Sequence, residues 1–181
     1  NKFHGAGSFK YSNGDTYEGN WEMDQRNGEG IFTTVSGEHY EGEWKNDKKN
    51  GYGEHDYSNG NRYIGMWKND QFNGKGKMIY SNGDRYDGDW LKNLKHGEGI
   101  YLYSNGEQYE GTWTQNIKLG YGVQKYVDGG IYKGKWKDGI REGYGEYINP
   151  KGDTYKGNWK NDLKNGKGTL TYFNKDSYDG H

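Results

Sequence analysis

Residues 7–21 read GSFKYSNGDTYEGNW. Gly7, Phe9 and Tyr11 alternate with Ser8 and Lys10, the period-two pattern of a half-exposed strand. Ser12-Asn13-Gly14-Asp15 follows. Asn-Gly between alternating segments is a strong hairpin signal, because both central residues of the favoured two-residue turn need positive φ. Tyr17, Gly19 and Trp21 then form a second strand, with Glu18 and Asn20 on its other side. The stretch is one β-hairpin.

The hairpin is copied along the chain. Trp21, Trp44, Trp67, Trp90, Trp113, Trp136 and Trp159 are each 23 residues from the next. Tyr17, Tyr40, Tyr63, Tyr86, Tyr109, Tyr132, Tyr155 and Tyr178 keep the same step, each followed two residues later by Gly. A Gly-x-Gly column runs from Gly5/Gly7 to Gly166/Gly168, and Asn-Gly recurs at 59–60, 82–83 and 105–106, with Asp128-Gly129 as its variant. Of 33 glycines, all but Gly130 and Gly139 fall in four such columns. A fixed period of this length is the mark of a repeat architecture, in which one small unit is stacked on its copies. The prediction is an all-β, single-layer antiparallel sheet of stacked hairpins with essentially no helix. It has about 16 strands and a length on the order of 70 Å at the usual strand spacing. One array fills 1–181, as seven full hairpin repeats and a partial repeat over 166–181, and the chain starts inside a connector.

Bulk composition points elsewhere. A mean hydropathy of -1.41 and 29% hydrophobic residues resemble a chain that cannot offset its ordering entropy. The 17% of aromatic residues, held on a strict lattice, oppose that reading. With aliphatic residues scarce, stability must come from contacts between neighbouring repeats. The net charge of -1 gives no bulk field to attract nucleic acid, and none is expected as a partner. No cysteine is present, which excludes disulfides and thiolate chemistry. No apolar run approaches the roughly 18 residues of a membrane span, and the N-terminus carries no secretory pattern.

The two faces of a hairpin differ. Glycine between two aromatics leaves a hole one side chain deep, across which a neighbouring hairpin's ring can lie. Such a face is structural first. It is also the expected partner groove, lined by Tyr40, Trp44, Tyr63, Trp67, Tyr86, Trp90, Tyr109, Trp113, Tyr132 and Trp136. On the connections after each tryptophan, Arg26, Lys49, Lys95, Lys118, Arg141 and Lys164 form one column. It reads as solvated loop charge, or as a basic rim for phosphate head groups or an acidic protein. Asp15, Glu38, Asp84, Glu107 and Asp153 mark the hairpin turns.

Catalysis finds no foothold. None of the Gly-x-Gly copies leads into a helix, so none is a phosphate loop. Carboxylates lie in exposed repeat columns, and no serine has a convergent His and Asp. His39 and His55 fall on adjacent strands flanked by Glu38, Glu54 and Asp56, a set that could hold zinc if a second chain completed it. Surface histidines are far commoner, and no metal or other cofactor is assigned.

Tyr-Glu-Gly-Asn-Trp at 17–21, Tyr-Glu-Gly-Glu-Trp at 40–44 and Lys-Asn-Asp-x-x-Asn-Gly-x-Gly at 45–53 resemble MORN (membrane occupation and recognition nexus) repeats over nearly the whole chain. The resemblance implies an elongated, twisted single-layer sheet and a scaffold without activity of its own, linking cytoskeleton, membrane and partner proteins. Some members dimerise, some hold a partner segment in the groove, and lipid binding is attributed to the family. The Lys- and Asn-rich connectors resemble those of protozoan members, which organise cortical structures. The sequence departs from its own pattern at Thr34 and Asn149, where a tyrosine column breaks. Pro150 occupies a turn position, and Lys175 stands in place of a turn glycine, with Asn174 expected to supply the positive φ.

Bare sheet edges invite pairing with another chain, so a homodimer through the terminal repeat is expected, using Tyr155, Trp159, Tyr172, Phe173 and Tyr178. The predicted function is a self-associating, non-enzymatic scaffold with cytoskeletal or cortical protein partners, cytoplasmic, cytoskeletal or peripheral to a membrane. Two alternatives stand beside it: a peripheral module binding anionic phospholipid through the basic rim, and an accessory region of a larger enzyme such as a lipid kinase or methyltransferase.

Overall fold

The computed structural model describes residues 2–181. They form sixteen strands that take sheet positions in chain order, each antiparallel to the next within either unit, and the described residues contain no helix. The chain divides into two compact units, Asn1–Leu94 and Lys95–His181. The first holds β1 (Gly5–Lys10), β2 (Thr16–Glu22), β3 (Gln25–Thr33), β4 (His39–Lys45), β5 (Lys48–Asp56), β6 (Arg62–Lys68), β7 (Gln71–Ile79) and β8 (Arg85–Leu91). The second carries β9 (Leu94–Leu102), β10 (Gln108–Thr114), β11 (Ile117–Lys125), β12 (Ile131–Lys137), β13 (Ile140–Ile148), β14 (Thr154–Lys160), β15 (Leu163–Thr171) and β16 (Ser177–Gly180).

Two kinds of turn alternate, and they are distributed differently from the sequence expectation. The two-residue turn with both central φ positive is not at Asn-Gly but after the tryptophan strand. Met23 and Asp24 have φ of 50° and 68°, Asn46 and Asp47 49° and 65°. Asn and Asp tolerate this left-handed region better than other non-glycine residues. The expected connector is therefore only two residues long, and the strand that follows starts at once. At Asn13-Gly14 only Gly14 has a positive φ, of 94°. Its N–H donates to the Tyr11 carbonyl at 2.9 Å, and the Tyr11 N–H donates to the Asp15 carbonyl at 2.9 Å. That is the longer hairpin loop closed by a glycine bulge. In the last such loop Lys175 itself takes the left-handed conformation, at φ 76°, and not Asn174.

The core is a single layer of rings on one face. Glycines face glycines across each unit: Gly7 opposite Gly19, Gly19 opposite Gly30, Gly30 opposite Gly42, and so on to Gly76 opposite Gly88. The second unit continues the pattern from Gly99 opposite Gly111 to Gly168 opposite Gly180. Each row forms a trough, and the ring of a tyrosine on one strand lies over the glycine of the next hairpin, as expected from sequence: Tyr17 covers Gly30 and Tyr40 covers Gly53. A Cβ on Gly30 or Gly53 would overlap the hydroxyl and ring of Tyr17 or Tyr40. The hydroxyl closes on its own strand, with Tyr17 Oη donating to the Asn20 carbonyl at 3.0 Å and Tyr40 Oη to the Glu43 carbonyl at 3.0 Å.

Tryptophans lock successive repeats together. Trp44 stands edge-on to Tyr40 of its own repeat at 5.0 Å and to Tyr17 of the preceding one at 5.6 Å. Trp136 does the same between Tyr132 at 5.3 Å and Tyr109 at 5.3 Å. Each indole N–H donates to a glycine carbonyl of the preceding strand, as Trp44 to Gly30 at 3.0 Å and Trp136 to Gly122 at 3.3 Å. Edge-to-face pairs of this kind add about 0.5–1.5 kcal/mol each beyond area burial. A ladder of them replaces the missing aliphatic core.

Candidate partner-binding face

The face above the glycine rows carries the groove residues predicted from sequence, and it buries them. Tyr40, Tyr63, Tyr86, Tyr109 and Tyr132 are 0–1% exposed, and Trp44, Trp67, Trp90, Trp113 and Trp136 are 3–6% exposed. Burial raises the phenol pKa of Tyr40, Tyr63 and Tyr109, and raises it to about 12 at Tyr17 and Tyr132, where the guanidiniums of Arg26 and Arg141 oppose it. These side chains build the floor. What a partner meets is the layer around and above them.

That layer includes the basic column, which the structure places on this same face. Arg26, Lys49, Lys95, Lys118, Arg141 and Lys164 are each the second residue of a strand, not part of a connector. The Arg26 guanidinium stands 4.1 Å from the centre of the Trp44 ring, and that of Arg141 4.3 Å from Trp159. Lys118 Nζ lies 4.5 Å from Tyr109 and 4.9 Å from Trp136, Lys95 Nζ 4.4 Å from Tyr101, and Lys164 Nζ 4.7 Å from Tyr155. The two columns read separately from sequence thus form one cationic aromatic surface. Phe72 occupies the basic position of its repeat and stacks on Tyr63 at 3.8 Å, interrupting the charge. The 23-residue period holds that signal.

The cations are held by the turn of the following repeat. Arg26 donates from its backbone N–H and from Nε to Asp47 Oδ1 at 2.9 and 3.1 Å, and from Nη2 to the Asp47 carbonyl at 2.9 Å. Arg141 does the same with Asp162 at 2.8, 3.0 and 2.8 Å. Asp70 and Asn116 accept the backbone N–H groups of Lys49 and Lys95 at 2.8 and 2.9 Å. Gly139 holds the corresponding place for Lys118 and has no side chain to do so. Burial lowers the ammonium pKa of Lys49 to about 8, with Asp70 and Glu38 opposing, and that of Lys118 to about 8, with Glu107 and Asp162 opposing.

Between Tyr and the loop runs a row in which the repeats differ: Phe32, His55, Met78, Tyr101, Gln124 and Tyr147. Beside it, Tyr57, Tyr80, Tyr103 and Tyr126 remain half-buried. Sequence reasoning passed over this variable row because it looks for constancy, whereas a constant floor leaves selectivity to the positions that change. In the first unit a cavity of about 270 Å³ opens here, lined by Arg26, Phe32, Glu38, Trp44, Lys49 and His55 together with Asp47 and Asp70. Lys49 Nζ lies 2.9 Å from His55 Nδ1, and the His55 ring packs 3.9 Å from Tyr57. Burial, then the Lys49 charge, lowers the His55 pKa to about 3, so its ring is neutral.

The histidine pair considered for zinc does not converge. His55 lies opposite Tyr40 on the ring face, whereas His39 lies opposite Asp56 and reaches Thr33 Oγ1 at 3.1 Å on the other face. Successive strand positions alternate, and the two imidazoles occupy positions of opposite parity. Among the described residues no cluster of metal-ligating side chains occurs. Of the residues predicted for self-association, Tyr155 and Trp159 are buried at 7% and 4%, while Tyr172, Phe173 and Tyr178 are 45%, 79% and 61% exposed.

The fold has relatives among solved structures. The TCP domain of Drosophila melanogaster SAS-4, in complex with a proline-rich motif of Ana2, matches with a TM-score of 0.54 at 14% identity, over 97% of this chain and 90% of that one. The TCP10 domain of Danio rerio CPAP, in complex with a peptide of STIL, matches at 11% identity with a TM-score of 0.37, over 90% and 81% of the two chains. At 14% identity the likeness to the Drosophila domain is one of fold alone. Among curated proteins none matches this chain. The MORN repeat model matches eight consecutive segments, 1–16, 17–39, 40–62, 63–85, 86–108, 109–131, 132–154 and 155–177, each full segment opening on the tyrosine that fills the glycine trough. With the whole array accounted for by that one repeat, the chain belongs to the MORN repeat family.

Proposed function

We propose that this protein is a non-enzymatic interaction module whose cationic aromatic face holds an extended, acidic segment of a partner protein. The observation that carries the reading is the placement of the basic column over the tyrosine–tryptophan ladder. A peptide lying there meets ring edges and half-buried guanidinium and ammonium groups together. Aromatic-lined grooves favour extended, proline-containing chains, whose ordering entropy is already low. A proline-rich motif on the related fold of the Drosophila domain is consistent with that chemistry. Because the bases are turned onto rings and tied to the next repeat's turn, the face suits a peptide better than a phospholipid surface.

Partners of cytoskeletal or cortical type, a cytoplasmic or membrane-peripheral setting and self-association belong to the same scaffold reading. The test is titration of fluorescent twelve-residue peptides, one proline-rich and acidic, others basic or helix-forming. Saturable binding of the acidic proline-rich peptide, lost in Tyr126→Ser and Lys164→Ala with unchanged circular dichroism, is the expected result. Equal binding by these variants would remove the face as the site.

A further inference from the structure

The sheet face opposite the rings is polar, and at three places a lysine pairs with a carboxylate across its strands. Lys75 meets Asp89 at 2.9 Å, Lys77 meets Asp87 at 3.4 Å, and Lys156 meets Glu146 at 3.3 Å. These pairs sit in fixed repeat columns. The same columns on β2 to β5 differ. Glu29 lies directly opposite Glu43, and Glu41 directly opposite Glu54. Glu18, Glu29, Glu41 and Glu43 are exposed, and none of them forms an ion pair among the described residues. Glu54 alone is met, by Arg62 at 2.5 Å. Like charges directly across an antiparallel pair are destabilising. Tyr52, 50% exposed, stands among these glutamates.

The second unit carries the complement on its corresponding face. Tyr121 and Tyr144 are 61% and 59% exposed. Lys135 lies directly opposite Tyr121 and packs on Gly143, next to Tyr144. Lys133 and Lys167 are exposed on the same face, and neither they nor Lys135 form an ion pair among the described residues. Exposed tyrosines ringed by unpaired lysines have the composition of a protein interface, aromatic at the centre and charged at the rim.

We infer that the glutamate-rich face of β2 to β5 docks on the tyrosine–lysine face of β11 to β15 of a second copy of this chain. This rests on the self-association in the proposed function and gives it a surface away from the terminal repeat. The occupant is a second copy because one chain carries both halves of the charge match, with tyrosine in each. Docking relieves the repulsion of Glu29 with Glu43 and of Glu41 with Glu54. The contact joins two different patches: two copies that make it reciprocally close into a two-fold pair, and copies that make it once each keep one patch unused, so that association grows with concentration.

Light scattering over a hundredfold concentration range, at low and high salt, tests this with the intact chain. The wild-type mass is expected to rise above 20.9 kDa with concentration and to fall back on adding salt. Glu29→Gln/Glu41→Gln and Lys135→Gln/Lys167→Gln should each remain monomeric, with dissociation constants raised about tenfold or more. An equimolar mixture of the two should give pairs and nothing larger, since only one matched contact is left between them. Tyr121→Ser/Tyr144→Ser should weaken association with no change in charge. If each variant alone associates as the wild type does, the surface is wrong while self-association stands. If the wild type stays monomeric throughout, both fail. Binding of the lysine face to phosphatidylserine vesicles by a chain that does not self-associate would also overturn the proposal.

Discussion

The Tyr40 ring lies so close over Gly53 that a single methyl group on that glycine would overlap its hydroxyl and ring. The relationship recurs in both units and explains why glycine and tyrosine keep step along the chain. Gly53→Ala should therefore cost about 1–3 kcal/mol, the range of overpacked cores. Gly7→Ala is the matched control. Its added Cβ would meet only Trp21 at an ordinary 3.7 Å, and the change should fall within about 1 kcal/mol of neutral. Urea unfolding of both variants checks this, and equal losses would mean that the trough is not the constraint.

At Asp47 a carboxylate caps the backbone N–H of Arg26 and holds its guanidinium. Asp47→Ala should cost about 1–3 kcal/mol by leaving both donors unmet. Asp47→Asn should cost less, as Asn93 and Asn116 already serve at equivalent places.

The sixth repeat lacks this cap, because Gly139 holds its place at φ 83° with open space around it. Gly139→Asn supplies an acceptor for the Lys118 N–H and tolerates the left-handed backbone. It should raise stability by about 0.5–1.5 kcal/mol, read as a higher urea midpoint. A lower midpoint would show that the capping geometry does not transfer.

His55 gives the acid side of the pH profile. Its ordinary pKa near 6.5 falls to about 3 in the folded chain, first through burial and then through Lys49. A depressed folded value means that the stabilising contribution is complete above about 6.5 and is lost as pH falls toward 3. The groups around it are Lys49, Glu38, His39 and Tyr57. The unfolding midpoint should drop between pH 6.5 and 4, and His55→Gln should flatten that fall, since Gln124 fills the same position beside Lys118 at 2.8 Å.

Lys49 and Lys118 set the alkaline side. Both folded values are about 8 against an ordinary 10.5. The folded chain carries a cost for these charges at neutral pH that is relieved as pH rises from 8 toward 10.5. Around Lys49 stand Asp70, Glu38, Arg26 and His55, and around Lys118 stand Glu107, Asp162, Lys95 and Gln124. Stability should climb between pH 8 and 10, before the tyrosines ionise, and Lys118→Met should reduce the climb. A flat profile in the wild type would contradict this.

The period made the hairpin repeat legible because each column answers one local demand: glycine for the trough, tyrosine to fill it, tryptophan to join two tyrosines. Turn assignment failed where one dipeptide was trusted. Asn13-Gly14 fits the short turn by composition, but the register from Lys10 to Thr16 leaves room for the longer loop. The short turn went to Asn46-Asp47 and its equivalents, which, Asp138-Gly139 apart, carry no glycine to draw attention. The basic column was read as loop charge because Arg26 follows a connector in sequence, and only the strand register places it over Trp44. Charge pairing on the far face was invisible for the same reason: Glu29 and Glu43 are neighbours only once the strands are paired.

The central claim is that the ring face is where a partner binds. It is tested most directly by nuclear magnetic resonance of the indole N–H groups during titration with the acidic, proline-rich peptide. Seven tryptophans report on this one face. Saturable shifts in a contiguous subset of these resonances, with Tyr121 and Tyr144 on the opposite face unmoved, are the predicted result. Shifts confined to Tyr121 and Tyr144 with every indole unchanged would contradict it.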